Sequence, residues 1–228
     1  MINFGGYSPF NKGLILHMRM RRKPNRELRL ENCSLLHIKN PTEYKGKWNT
    51  LFGNDFPVHL EIGCGKGSFI TQLAALNPDI NYVAMEKCTD VIIMAMEKVM
   101  AAGLKNVYFI NGDAANLCDV FESGEISRIY INFCDPWKKS HHKKRRLTHS
   151  NFLSVYKNIL ISGGEVHFKT DNRKLFEFSL NEFAAFDVKM QNICLDLHNS
   201  NFEGNIVTEY EKAFSEKGFP IFRCELVF

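Results

Sequence analysis

From Val58 onward, short apolar runs alternate with longer amphipathic stretches, each bounded by Gly, Pro, Asn or Asp. The pattern predicts strands over Val58–Ile62, Asn81–Met85, Val107–Ile110 and Ile126–Phe133. It predicts helices over Ser68–Leu76, Thr89–Ala102 and Thr148–Leu160, with a short one from Ala114. Asn77-Pro78 stops the first helix and Gly103 the second. Gly163-Gly164 turns the chain into a fifth strand, Glu165–Lys169, and Lys174–Ala185 follows as a helix. Val188–Leu195 and Ile221–Phe228 read as final strands, with a helical Thr208–Glu216 between them. Strands alternating with helices imply an α/β sheet covered on both faces, parallel through its fifth strand.

Before Val58 the pattern is weaker. Residues Met1–Met18 read as a poorly ordered extension. Arg19–Arg29 is a basic arm broken by Pro24. The reading therefore divides the chain into residues 1–57, extension and arm, and residues 58–228, one domain. Its 228 residues, 45% hydrophobic and 24% charged, suit one soluble domain. The longest apolar run near the N-terminus, Gly13–Leu16, is too short for a signal-peptide core or a membrane span. Seven scattered cysteines without a CxxC pair argue against a disulfide framework and a zinc site. They fit a reducing, cytoplasmic compartment. A monomer or weak homodimer without metal is expected.

Candidate chemistry lies at the strand ends. Leu60-Glu61-Ile62-Gly63-Cys64-Gly65-Lys66-Gly67-Ser68 runs from strand through a glycine turn into a helix. Glycines there let backbone N–H groups approach a ligand. The acid at Glu61 disfavours a phosphate and suits a ligand with a cationic end, such as S-adenosylmethionine. Glu86 ends the second strand, where a carboxylate can bind ribose hydroxyls. Asp113 ends the third, within reach of an adenine amino group. Cys64 and Cys134 have no nearby His or Cys partner and read as small buried side chains.

The net charge of +4 is mild, but the positive charge is clustered. Phe133-Cys134-Asp135-Pro136-Trp137 follows the fourth strand, and all of Lys138–Arg146 except Ser140 is Lys, Arg or His. Such a run repels itself unless phosphates neutralise it. Pro136 stiffens the turn, while Trp137 fits either a base-stacking platform or the core. Lys169-Thr170-Asp171-Asn172 ends the fifth strand on the same edge, so Asp171 can join Asp135. Thr208-Glu209-Tyr210-Glu211 has the residues of a capped helix start.

These segments, with Met18-Arg19-Met20-Arg21, are in the order found in the bacterial tRNA (guanine-N7)-methyltransferase family, which the chain resembles from about Met18 to its end. The resemblance implies a Rossmann-like class I fold: a mostly parallel seven-stranded sheet, helices on both faces and an antiparallel C-terminal strand. It implies methyl transfer from S-adenosyl-L-methionine to N7 of guanosine at position 46 in the tRNA variable loop. Glu61, Gly63, Gly65, Glu86, Asp113 and Asp135 would contact the cofactor, with Asp135 also the catalytic residue. Lys139, Asp171, Thr208, Glu209, Tyr210 and Glu211 would contact the substrate. His141, His142, Lys143, Lys144, Arg145 and Arg146 would form the RNA-binding segment. Two positions depart from the family pattern: Lys138 replaces a proline, and Lys23-Pro24-Asn25 replaces Lys-Pro-Trp. A nicotinamide-dependent oxidoreductase, a methyltransferase acting on another RNA, DNA or a protein amine, and a non-catalytic RNA-binding module are the competing readings.

Overall fold

Val58, Leu60 and Ile62 alternate with His59 and Glu61 along one strand, and both sets are buried. A strand buried on both faces belongs inside a sheet covered on both sides. The computed structural model describes residues 25–228 and contains such a sheet. Its strands are β1 (Val58–Ile62), β2 (Asn81–Glu86), β3 (Val107–Asn111), β4 (Ile126–Asn132), β5 (Leu160–Thr170), β6 (Lys189–Cys194) and β7 (Phe222–Val227). Their order is β3-β2-β1-β4-β5-β7-β6. The first five are parallel, whereas β7 runs antiparallel to both β5 and β6. Because β1 pairs with β2 on one side and β4 on the other, the order reverses there. A crevice opens at the carboxyl ends of such a pair.

Helices α1 (Arg26–Asn32), α2 (Trp48–Phe52), α3 (Ser68–Leu76), α4 (Thr89–Ala101), α5 (Leu117–Val120), α6 (Ser150–Ile159), α7 (Arg173–Ala185) and α8 (Glu209–Ser215) accompany the strands. Leu60, Ile62, Val83, Met85, Ile129 and Ile131 pack towards α5, α6 and α7. Tyr82, Ala84, Phe109 and Tyr130 pack on the other face, with α3 and α4. Among the described residues, no helix is long and apolar enough to cross a membrane.

Three local differences from the sequence reading have physical causes. First, β5 starts at Leu160, and Gly163-Gly164 is a bulge inside it. Leu160 pairs with Ile126 and Glu165 with Arg128, so the intervening residues bow out. Gly163 adopts φ 75°, and a Cβ on Gly164 would lie 2.9 Å from the Ile161 carbonyl oxygen. Second, α6 starts at Ser150 because the His149 imidazole caps it, accepting the Asn151 N–H at 3.1 Å. Third, residues ahead of Val58 complete the core. Trp48 is fully buried and donates its Nε1–H to the Val120 carbonyl at 3.2 Å, while His37 bridges to Phe109 on β3. Arg29, read as part of the basic arm, forks onto Glu97 of α4 at 2.7 and 2.6 Å. Met1–Met18 and the rest of the arm up to Pro24 lie outside the described residues.

Candidate active site

The turn after β1 has three left-handed glycines, Gly63 (φ 77°), Gly65 (φ 55°) and Gly67 (φ 79°). They serve two purposes. A Cβ at Gly63 or Gly65 would meet nothing within 4 Å, so both face open space. A Cβ at Gly67 would lie 2.6 Å from that of Ala95, so this glycine permits α3 to pack closely on α4. The turn also orients Glu86. The Gly65 N–H donates to one Glu86 oxygen at 3.1 Å, and the Cys88 N–H to the other at 2.9 Å.

Glu61, on β1 just before the turn, is only 2% exposed. The Asn132 amide donates to its Oε1 at 3.3 Å, but its Oε2 has no partner. Burial pushes the carboxyl up to about 8, against the opposing pull of Asn132 and Lys169. A carboxylate sealed in with one free oxygen fits the cationic end of a ligand.

Two cavities meet at Gly63, Asn132 and Phe133. One, of about 500 Å³, is lined by Glu61, Gly65, Ser68, Thr208, Glu209 and Tyr210. The other, of about 670 Å³, is lined by Glu86, Asp113, Asp135, Trp137, Lys144 and Arg145. All six expected cofactor residues thus line one continuous cleft at the strand ends. At its rim Asp113 pairs with Lys87 at 2.6 Å and accepts the Ala115 N–H at 3.1 Å, and both contacts hold its carboxyl below the usual range.

Asp135 is exposed, on a turn whose flanking residues Phe133 (φ 54°) and Trp137 (φ 42°) are left-handed. Non-glycine residues adopt that conformation at a cost of about 1–2 kcal/mol each, and it concentrates at functional sites. Trp137 is half-buried, with Arg145 over its ring at 5.1 Å and His142 against its edge at 5.6 Å. Lys138 and Lys139 are exposed, and Ser140–Arg145 winds into a 3-10 helical segment that leaves His141, Lys143, Lys144 and Arg145 in solvent. Arg146 instead turns inward onto the Asp135 turn. Cys64 is buried and Cys134 half-buried, and burial pushes both thiols up, Cys134 to about 12.

The Thr208–Glu211 segment splits into two pairs. Thr208 accepts the Glu211 N–H at 2.9 Å in a capping box. Glu211 is fully buried against Lys169 (2.7 Å) and Asn205 (2.6 Å). Glu209 and Tyr210 face outward. Glu209 receives the Ser68 hydroxyl at 2.6 Å and the Lys98 ammonium at 2.7 Å, tying α8 to the start of α3. Tyr210 packs on Phe133 at 5.1 Å, and its hydroxyl is pushed up to about 12 by burial and by Asp171 and Asp135. Asp171 is half-buried between β5 and α7, and burial raises its carboxyl. The sequence reading missed Ser68, Lys98 and Asn132 as members of the site. Asn132 is the last residue of β4, which pairs with β1, although the sequence reading carried that strand on to Phe133.

A family model described as "Putative methyltransferase" matches residues 55–224. A tRNA (guanine-N(7)-)-methyltransferase of Bacillus subtilis (strain 168) is 53% identical over 209 residues, 92% of this chain and 98% of that relative. The chain belongs to the tRNA (guanine-N7)-methyltransferase family. The family enzyme of Clostridioides difficile (strain 630) is 54% identical, over 91% of this chain and 98% of its own. More distant structures share the fold of this family member. They include the 16S rRNA methyltransferase KamB (TM-score 0.60, 14% identity, 80% of this chain and 93% of that one). Another is a SAM-dependent methyltransferase from Aquifex aeolicus (TM-score 0.53, 14% identity, 86% and 97%).

Proposed function

We propose that this enzyme methylates N7 of the guanosine at position 46 in the variable loop of tRNA, in the cytoplasm, with S-adenosylmethionine as methyl donor. The observation that carries the reading is one cleft with two chemically distinct ends. Glu61, whose Oε2 has no partner, lines the cleft together with Gly63 and Gly65 and suits the donor's ammonium. Glu86 would hold its ribose hydroxyls and Asp113 its adenine. When bound, the donor supplies a methyl group on a positively charged sulfur.

The other end carries Asp135, Trp137 and exposed cations. Guanine N7 has an in-plane lone pair and loses no proton on attack, so no general base is required. Asp135 and Asp171 would accept hydrogen bonds from the N1–H and amino edge of the guanine and stabilise the positive charge that develops on the base. Catalysis is then mainly positioning. Glu209 and Tyr210 would contact substrate from α8, while Thr208 and Glu211 set that helix in place. Lys139, His141, His142, Lys143, Lys144 and Arg145 would meet phosphates.

Two transcripts of one tRNA test the target, one with guanosine and one with adenosine at position 46. Transfer to the first alone supports the reading, and equal transfer to both would remove position 46 as the target. Asp135→Asn is expected to lower kcat about a hundredfold with cofactor still bound.

A further inference from the structure

Arg146 closes the basic run, and its position there suggests a phosphate contact. Its surroundings suggest another task. Its Nε donates to the Pro136 carbonyl at 2.9 Å and its Nη2 to the Trp137 carbonyl at 3.1 Å. Its guanidinium lies over the Phe178 ring of α7, 4.2 Å from the centroid. It is half-buried, whereas Lys143, Lys144 and Arg145 are exposed.

We infer that Arg146 is a positioning residue for Asp135, stapling the Asp135-Pro136-Trp137 turn to α7, and not one of the phosphate contacts. The turn needs such a staple. Trp137 holds a left-handed conformation that a side chain rarely adopts, and the Pro136 and Trp137 carbonyls lie outside the sheet ladder. A planar fork reaches both carbonyls together, with charge-assisted bonds. A lysine ammonium, a point charge on a flexible stem, cannot reproduce that fork. Phe178 covers the guanidinium face and fixes the fork against α7. The turn is thereby coupled to the helix that begins just after Asp171, so the two carboxylates keep their separation.

The inference rests on the proposed reaction, and the test separates the two. Arg146→Met and Arg146→Lys are compared with Lys143→Met. Kinetics on tRNA are measured across a salt series, with acrylamide quenching of tryptophan fluorescence. Trp48 is fully buried, so quenching reports Trp137. The staple predicts that both Arg146 variants lose about tenfold or more in kcat, with little change in KM and an unchanged salt slope. Both would quench more readily than the wild type. Lys143→Met should instead raise KM and lower the salt slope by about 0.9. Normal kcat with raised KM in Arg146→Met, rescued by Arg146→Lys, would overturn the inference. So would unchanged quenching in both variants. If Arg146→Met fails to fold, Arg146→Lys carries the same test. A wild-type protein inactive on tRNA would refute the proposed reaction, while quenching would still test the staple.

Discussion

Glu61 has two protonation states, and a cationic ligand selects one of them. Burial raises its carboxyl from the ordinary 4.5 to about 8, so the neutral acid dominates at pH 7 without ligand. Binding an ammonium requires the carboxylate, so cofactor binding should release a proton below pH 8. Calorimetry in buffers of different ionisation enthalpy measures that release, and its absence would contradict the assignment. The linkage to stability has a definite sign. With the folded value raised, Glu61's contribution is complete below pH 4.5 and is lost as pH rises through about 8. Glu61→Gln should therefore abolish cofactor binding while raising the Tm of the ligand-free protein at pH 8 relative to wild type, with little change at pH 4. At this scale the strand-end acids were legible because their spacing follows the strands. Arg146 was not, because a basic side chain facing a carbonyl reads in sequence like one facing a phosphate.

Along the β1–α3 unit the glycines divide by task, and the division predicts different phenotypes. Gly67→Ala drives a methyl group into Ala95 at 2.6 Å, in a left-handed conformation. It should destabilise the fold by about 2–4 kcal/mol, read by urea unfolding. Gly65→Ala meets no neighbour and should cost only about 1–2 kcal/mol, but its methyl group enters the cleft and should weaken cofactor binding. Equal stability losses with unimpaired binding would contradict the division. The glycine spacing showed a turn, but only packing against α4 separates the third glycine from the first two. The same limit hid the β5 bulge. Gly163-Gly164 punctuates the pattern as a turn would, and only the pairing of Leu160 with Ile126 shows that the strand begins earlier. Trp48 was overlooked because its partner, Val120, lies 72 positions away.

Over the whole molecule, strand order brings the separate motifs to one edge. The alternation of strands and helices made the layered sheet legible in the sequence, and β1 at the reversal of order explains why Glu61, Glu86, Asp113 and Asp135 share a cleft. The net charge of +4 understates the electrostatic footprint, because Lys138, Lys139, Lys143, Lys144 and Arg145 are exposed beside that cleft. Binding of tRNA should weaken steeply with salt, and the Lys143→Met/Lys144→Met double variant should lower the log–log slope by about 1.8. A flat wild-type response would remove the run as the tRNA contact. The central claim is tested most directly by incubating the enzyme with labelled S-adenosylmethionine and unmodified tRNA, then identifying the labelled nucleoside and its place in the chain. The account predicts N7-methylguanosine in the variable loop. A different methylated nucleoside, or no transfer while cofactor binds, would contradict it.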